Sequence, residues 1–237
     1  MPDNHRLIIM SNPAPGKDAE FNAWYDAHVP HVLTVAGIDA AQRLRFSADQ
    51  FPPEVIPPSK HAYIAIYEVS RPPAEIIPIL LDPEFAEGLP DAFDHATERA
   101  WWYTAIGERV GPPVADPAHR LLVFTNPATP ELDRELNEWY DEHLHEVLGL
   151  DAGVVNAQRF RLSEDQFPAT VMPPSEHRYL AIYDTNVEPA VTAGTLAAAM
   201  EGYEHPHALD LNTLRDWMFS AVAPRALAGA SAAATHA

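Results

Sequence analysis

The chain repeats one long segment of its own sequence. Residues 41–67, AQRLRFSADQFPPEVIPPSKHAYIAIY, recur as residues 157–183, AQRFRLSEDQFPATVMPPSEHRYLAIY, and 18 of the 27 positions are identical without a gap. Two shorter pairs have nearly the same spacing: RLIIMSNPA from Arg6 matches RLLVFTNPA from Arg120, and WYDAH from Trp24 matches WYDEH from Trp139. Self-similarity at a spacing of 114 to 116 residues predicts a tandem duplication of one structural unit.

Each copy has the same predicted order of elements. The apolar run RLIIMS indicates a buried strand, and residues 17–35 have helical spacing, although Pro30 is expected to bend or interrupt that helix. AQRLRFS and HAYIAIYEV alternate with the two-residue period of strands. A second helical region and a final strand, RAWWYTAIGERV in one copy and RDWMFSAVA in the other, complete a βαββαβ unit of the ferredoxin-like kind.

Two such units can bury the bare faces of their sheets against each other. We therefore predict an α+β fold in which two ferredoxin-like (βαββαβ) repeats pack sheet to sheet as an intramolecular dimeric α+β barrel. The predicted boundaries are 1–112 for the first repeat, 113–119 for a linker, 120–224 for the second repeat and 225–237 for a disordered Ala-rich tail.

The net negative charge of the chain limits the kinds of partner that it is expected to bind. There are 34 Asp plus Glu against 15 Lys plus Arg, a net charge of −19 that repels polyphosphates and anionic headgroups. We expect neither nucleic acid nor membrane as a partner, and no run approaches the length of a membrane span. The start MPDNHRLIIMSN shows no secretory signal, so a cytoplasmic location is expected. The absence of Cys excludes disulfides, thiolate metal sites and Cys nucleophiles.

A family resemblance rests on three segments. The strand RLIIMSNP, the helix motif FNAWYDAHVPHVL and the following GIDAAQRLRF resemble EthD-like members of the dimeric α+β barrel superfamily, and both copies match. The superfamily includes cofactor-free monooxygenases, polyketide cyclases, lactone isomerases, dehydratases and haem enzymes. The resemblance therefore implies a fold and leaves the reaction open.

The helix motif places an imidazole on an apolar face. At 100° per residue, His28 lies about 40° from Trp24, and His143 has the same place in the second copy. Burial lowers the pKa of a His, and a neutral imidazole in an apolar cavity can act as a general base. We therefore name His28 and His143 as candidate catalytic residues; the alternative is that they donate to backbone carbonyls and pack as core. The candidate substrate contacts beside them are Trp24, Tyr25, Trp139 and Tyr140.

Strand tyrosines and a His-rich segment supply further candidates. Tyrosine hydroxyls on one strand face could orient a phenol or enolate oxygen. On this ground Tyr63 and Tyr179 are candidate catalytic residues, and Tyr67 and Tyr183 are candidate substrate contacts.

The second copy alone contains GYEHPHAL, residues 202–209. This segment is similar to the one that carries a catalytic His and Tyr in plant polyketide cyclases of the superfamily. The similarity implies a catalytic role for His205 or His207 and substrate contact by Tyr203, and it favours the second copy if only one is functional. The alternative is a capped helix start at the surface.

Neither a metal nor another cofactor is expected. No three-ligand pattern recurs between the copies, and no GxGxxG or phosphate-binding loop occurs. The leading hypothesis is a cofactor-independent enzyme that performs dehydration, cyclisation or isomerisation on a small hydrophobic aromatic or polyketide-like compound, in a pocket between each sheet and its helices. The alternatives are a cofactor-free monooxygenase, a protein that binds such a compound without turnover, and a molecule with one purely structural copy. Pairing into a homodimer of pseudo-dimers stays open.

Overall fold

The computed structural model describes residues 5–85, 88 and 90–229. Its strands are β1 (His5–Ser11), β2 (Ile38–Phe46), β3 (Tyr63–Val69), β4 (Arg99–Val110), β5 (His119–Thr125), β6 (Val154–Leu162), β7 (Tyr179–Thr185), β8 (Arg215–Ala221) and β9 (Ala226–Leu227). Its helices are α1 (Asp18–Val32), α2 (Pro73–Leu80), α3 (Asp133–Gly149) and α4 (Pro189–Ala199). None of these helices is both long and apolar enough to cross a membrane.

Eight of the strands form a closed antiparallel barrel. Its order is β3, β1, β4, β6, β7, β5, β8 and β2, and β2 pairs with β3 to complete the ring. We call β1–β4 with their helices the first half and β5–β8 with theirs the second half. The halves are joined by β4–β6, where Tyr103 lies opposite Leu162, and by β2–β8, where Arg45 lies opposite Ser220. The expected α+β barrel with four helices is thus present, and its halves share hydrogen-bonded edges in addition to packed faces.

Alternate residues of each strand face the barrel interior or the helices. In β1, Ile8 and Met10 join an interior cluster with Phe160 and Phe219, which come from the second half. Leu7 instead packs in the layer beneath the helices of the first half. Each fully buried side chain of this size contributes about 1.5–3 kcal/mol, so the shared interior stabilises both halves together.

Pro30 does not interrupt α1 as the sequence suggested. The helix contains Pro30 and ends two residues later, at Val32. A proline in the last turn removes one backbone N–H, but few further helical bonds follow it, so the cost is small. The proline-free α3 extends over 17 residues to Gly149.

Two Pro-rich loops, 47–62 and 163–178, each cross to the opposite half. Gln50 Nε2 donates to the carbonyl oxygen of Met218 at 2.7 Å, and its Oε1 accepts the Met218 N–H at 2.9 Å. Gln166 makes the corresponding bonds to the backbone of Trp102, at 2.7 and 3.0 Å. Each loop is therefore fixed to the last long strand of the other half.

The C-terminal segment adds to the sheet beyond the predicted boundary at residue 224. Arg225 binds Glu68 through two bonds of 2.6 and 2.7 Å, and β9 pairs with β2 at Ala40 and Ala41. Residues 225–229, which we expected in the disordered tail, are thus part of the ordered fold. Residues 230–237 of that tail lie outside the described residues.

The ion pair of Glu68 leads to a pH-dependent prediction. Glu68 is only 7% exposed, and burial alone would raise its pKa. Hydrogen bonds from Arg225 and the charges of Arg6 and Arg120 outweigh burial and lower the pKa of Glu68 to about 2. A carboxyl with a lowered folded-state pKa stabilises the fold above its ordinary pKa, and this contribution is lost as the pH falls toward 2.

We therefore expect Glu68→Gln to reduce the free energy of unfolding by about 3 kcal/mol at pH 7 and by clearly less at pH 3. Thermal unfolding at the two pH values measures the difference. Glu75→Gln is the control, because Glu75 pairs with Arg71 on the exposed surface, where ion pairs contribute about 0–1 kcal/mol. A loss at pH 3 equal to that at pH 7 would contradict this role of the ion pair.

Candidate functional site

An apolar cavity of about 280 Å³ lies between the barrel and the helices of the second half. Strands β5, β7 and β8 form one wall, and α3 and α4 form the other. The side chains that face it include Val123, Trp139, Val147, Leu196, Met200 and Leu214. We call it the second-half cavity.

Asp216 is the acidic residue of β8 that lines this cavity. It lies opposite Val123 of β5, and its Oδ1 is buried with no hydrogen-bond partner in the described part of the chain. Burial raises the pKa of Asp216 to about 7, well above the ordinary range of a carboxyl. Such a group exchanges a proton readily near neutral pH, which suits it to general acid–base chemistry.

Two phenols share the cavity with Asp216. Tyr140 of α3 and Tyr183 of β7 both line it. Burial is the main reason that the pKa of each phenol is raised, and the charge of Asp216 raises it further. Both hydroxyls therefore keep their protons at neutral pH.

His143 also lines the second-half cavity, as the helix motif predicted. Its ring stacks on Trp139 with 4.3 Å between ring centres, and its Nδ1 lies 3.3 Å from Oε2 of Glu146. Burial lowers the pKa of His143, and the nearby Glu146 carboxylate opposes this effect. The net shift is downward, so the imidazole is mostly neutral at pH 7.

The His-rich segment divides between the cavity and the surface. Tyr203 and His205 line the cavity with their rings 5.4 Å apart, and the ring of Tyr203 is 6.3 Å from that of His143. Burial lowers the pKa of His205. His207, by contrast, has a side chain that is 74% exposed and pairs with Glu135 at 3.3 Å. Of the two candidate histidines, the structure places His205 at the site and His207 outside it.

Tyr63 and Tyr179 lie away from the cavity. The hydroxyl of Tyr63 donates to Oδ1 of Asp18 at 2.8 Å, and that of Tyr179 donates to Oδ1 of Asp133 at 2.8 Å. The two acceptors are the first residues of α1 and α3. These tyrosines therefore connect strands to helix starts, and neither is among the residues that line the second-half cavity.

The first half contains a smaller cavity of about 180 Å³, which we call the first-half cavity, near its candidate catalytic and substrate-binding residues. His28 and Tyr67 line it. Trp24 stacks on His28 at 4.0 Å between ring centres and packs against the core. The hydroxyl of Tyr25 lies 3.3 Å from that of Ser11, and burial raises the pKa of Tyr25 to about 12. Trp24 and Tyr25 thus pack behind the residues that line the cavity.

Sequence reasoning missed Asp216 and Phe51. The repeat itself held the signal for Asp216, because RDWMFSA matches RAWWYTA and places an acid where the first copy has Ala100. Phe51 lines the second-half cavity although it belongs to the first half, and no sequence pattern shows that its loop crosses over. Within the described ranges, no three His, Asp or Glu side chains come together as potential metal ligands.

Comparison with known proteins identifies the fold. No family model and no curated protein matches the sequence. The structure is similar to that of an anthrone oxidase-like protein, with 10% identity, a TM-score of 0.57 and coverage of 95% of this chain and 93% of that one. It is also similar to a candidate monooxygenase from Lactobacillus acidophilus, with 9% identity, a TM-score of 0.55 and coverage of 95% and 97%.

A third similar structure is a chlorite dismutase from Candidatus Nitrospira defluvii, with 8% identity, a TM-score of 0.53 and coverage of 92% of each chain. At these identities the likeness shows the fold alone, an antiparallel barrel with helices packed on its outside. The narrower resemblance to EthD-like proteins stays a prediction.

The raised pKa of Asp216 predicts a pH-dependent effect on stability. An acid with a raised folded-state pKa costs stability above that pKa, where it is ionised and buried, and costs nothing below its ordinary pKa. We therefore expect Asp216→Asn to raise the melting temperature at pH 8.5 and to change it little at pH 4. Calorimetry at both pH values is the measurement, with the exposed Asp151→Asn as the control. An equal change in melting temperature at both pH values would contradict a raised pKa of Asp216.

Proposed function

We propose that the protein is a cofactor-independent enzyme that removes a proton from carbon in a small hydrophobic aromatic or polyketide-like compound, within the second-half cavity. The observation that carries this proposal is the buried carboxyl of Asp216 in an apolar cavity. A carboxylate that has lost its hydration is a stronger base than one in water, and apolar walls suit an aromatic substrate.

The proposed step begins with the Asp216 carboxylate. It takes a proton from a carbon next to a carbonyl group or an aromatic ring, so that the C–H bond breaks, an O–H bond forms on Asp216, and the electron pair moves to the substrate oxygen. The hydroxyl groups of Tyr140 and Tyr203 in the same cavity are the available donors to that oxygen. Return of the proton to another carbon gives isomerisation, and its return to a leaving hydroxyl gives dehydration.

A cofactor-free monooxygenase is the second candidate, since similar structures are described as anthrone oxidase-like and as monooxygenases. Its first step would be the same proton removal, after which the carbanion reacts with O₂. For an anthrone the balance is one anthrone plus one O₂ to one anthraquinone plus one water. The two candidates thus differ only in the fate of the carbanion.

We also propose that the halves descend from one duplicated EthD-like unit. The repeated sequence supports this origin, and so does the matching order of strands and helices in the two halves. The cavities have nevertheless diverged, because Asp216 has Ala100 as its counterpart.

Anthrone is a suitable test compound, because proton removal from its acidic carbon can be followed both by hydrogen exchange and by reaction with O₂. In D₂O without oxygen, NMR should show enzyme-dependent exchange at that carbon, with a rate that rises with pH through about 7 as Asp216 loses its proton. We expect Asp216→Asn to slow this exchange by about 10²-fold or more. The exposed His207→Ala is the control and should leave the rate unchanged.

An oxygen electrode then separates the alternatives. Uptake of one O₂ per anthrone would identify the monooxygenase, whereas exchange without uptake favours the isomerase or dehydratase reading. Binding of anthrone with neither exchange nor uptake would overturn the enzyme proposal in favour of a binding protein.

A further inference from the structure

Each half has a carboxyl group near the start of its last long strand, at different points of the cavity wall. Glu98 directly precedes β4, and Asp216 is the second residue of β8. Glu98 and Ala100 both line the first-half cavity, and Leu214 and Asp216 both line the second-half cavity. In the sequence repeat, Glu98 corresponds to Leu214 and Ala100 corresponds to Asp216. The acidic and the apolar residue have therefore exchanged places between the cavities.

This exchange moves the carboxyl along the cavity wall. Residues two apart in an extended segment share a face, and each residue adds about 3.4 Å, so the α-carbons that bear the two carboxyls are displaced by about 7 Å relative to their cavities. A ligand in the first-half cavity would thus meet its acidic group at another point of its ring system. The smaller volume, about 180 against 280 Å³, also favours a smaller ligand.

Glu98, like Asp216, lies beside apolar side chains and a phenylalanine from the loop of the other half. Leu7 and Ile9 of β1 face the same cavity, and Phe167 from the loop of the second half lines it, as Phe51 lines the other. Burial raises the pKa of Glu98, and the charge of His95 opposes this effect only in part. Glu98 is thus a partly buried carboxyl beside an apolar space.

We propose that the first-half cavity is a second proton-transfer site, in which Glu98 is the acid–base group and the ligand is a one- or two-ring aromatic carbon acid. This inference rests on the proposed function, since it gives the same chemistry to a second cavity. In the step, the Glu98 carboxylate takes the proton of a C–H bond, and the electron pair stays with the ligand. The chain then has two sites of different size and different geometry.

A small two-ring probe can test both carboxyls at once. Removal of the C3 proton of 5-nitro-1,2-benzisoxazole breaks its N–O bond and gives a coloured nitrile phenolate, so that a base is the only requirement. The full chain should convert this probe by two additive routes. We expect Asp216→Asn to leave a residual rate and the further change Glu98→Gln to reduce that residual rate by about 10²-fold.

The controls separate this inference from the proposed function. Glu108→Gln alters an exposed acid of β4 and should leave both rates unchanged. Ala100→Leu narrows the first-half cavity while keeping Glu98 in the chain, and it should also lower the residual rate. If Asp216→Asn alone abolishes conversion, the inference about Glu98 is overturned while the proposed function stands. If neither carboxyl affects conversion, both fail.

Anthrone tests the difference in size. At saturation it should inhibit the route that depends on Asp216 and leave the route that depends on Glu98, because three fused rings are too large for the smaller cavity. The first route is measured in Glu98→Gln and the second in Asp216→Asn. Equal inhibition of the two variants would overturn the assignment of the smaller ligand to the first-half cavity.

Discussion

The closed ring of backbone hydrogen bonds is the constraint on which the remaining structure depends. A four-stranded sheet with helices on one side leaves one apolar face and two unpaired edges, and the β4–β6 and β2–β8 junctions satisfy both needs. Apolar side chains such as Ile8 and Phe219 then fill the middle of the interior. The second-half cavity and the first-half cavity accordingly lie outside the ring, beneath the helices.

Two buried carboxyls show how the same fold produces opposite electrostatic outcomes. Glu68 is buried beside guanidinium groups, and its pKa falls to about 2, so it is a fixed charge that holds the barrel end together. Asp216 is buried among apolar and aromatic side chains, and its pKa rises to about 7. Burial acts in the same direction on both groups, and the arginines beside Glu68, with Arg225 bonded to it directly, decide the result. The positions of the arginines thus decide which buried carboxyl carries a fixed charge and which one titrates near neutral pH.

The sequence predicted the features that follow from local periodicity. The repeat and the order of elements led to the barrel, and the helix motif placed His143 on the face that lines the cavity. The sequence could not predict contacts between distant segments. The alternating pattern put Tyr63 on a buried face but could not show that Asp18 would accept its hydroxyl. Asp216 was visible as a difference between the copies, yet its environment depends on residues from four separate elements.

The crossing of the Pro-rich loops has a consequence for how this chain can change through evolution. Phe51 of the first half lines the second-half cavity, and Phe167 of the second half lines the first-half cavity. A substitution at either phenylalanine therefore changes the cavity wall of the opposite half. Changes in the two halves are therefore coupled, and neither half expressed alone would retain the complete wall of its own cavity.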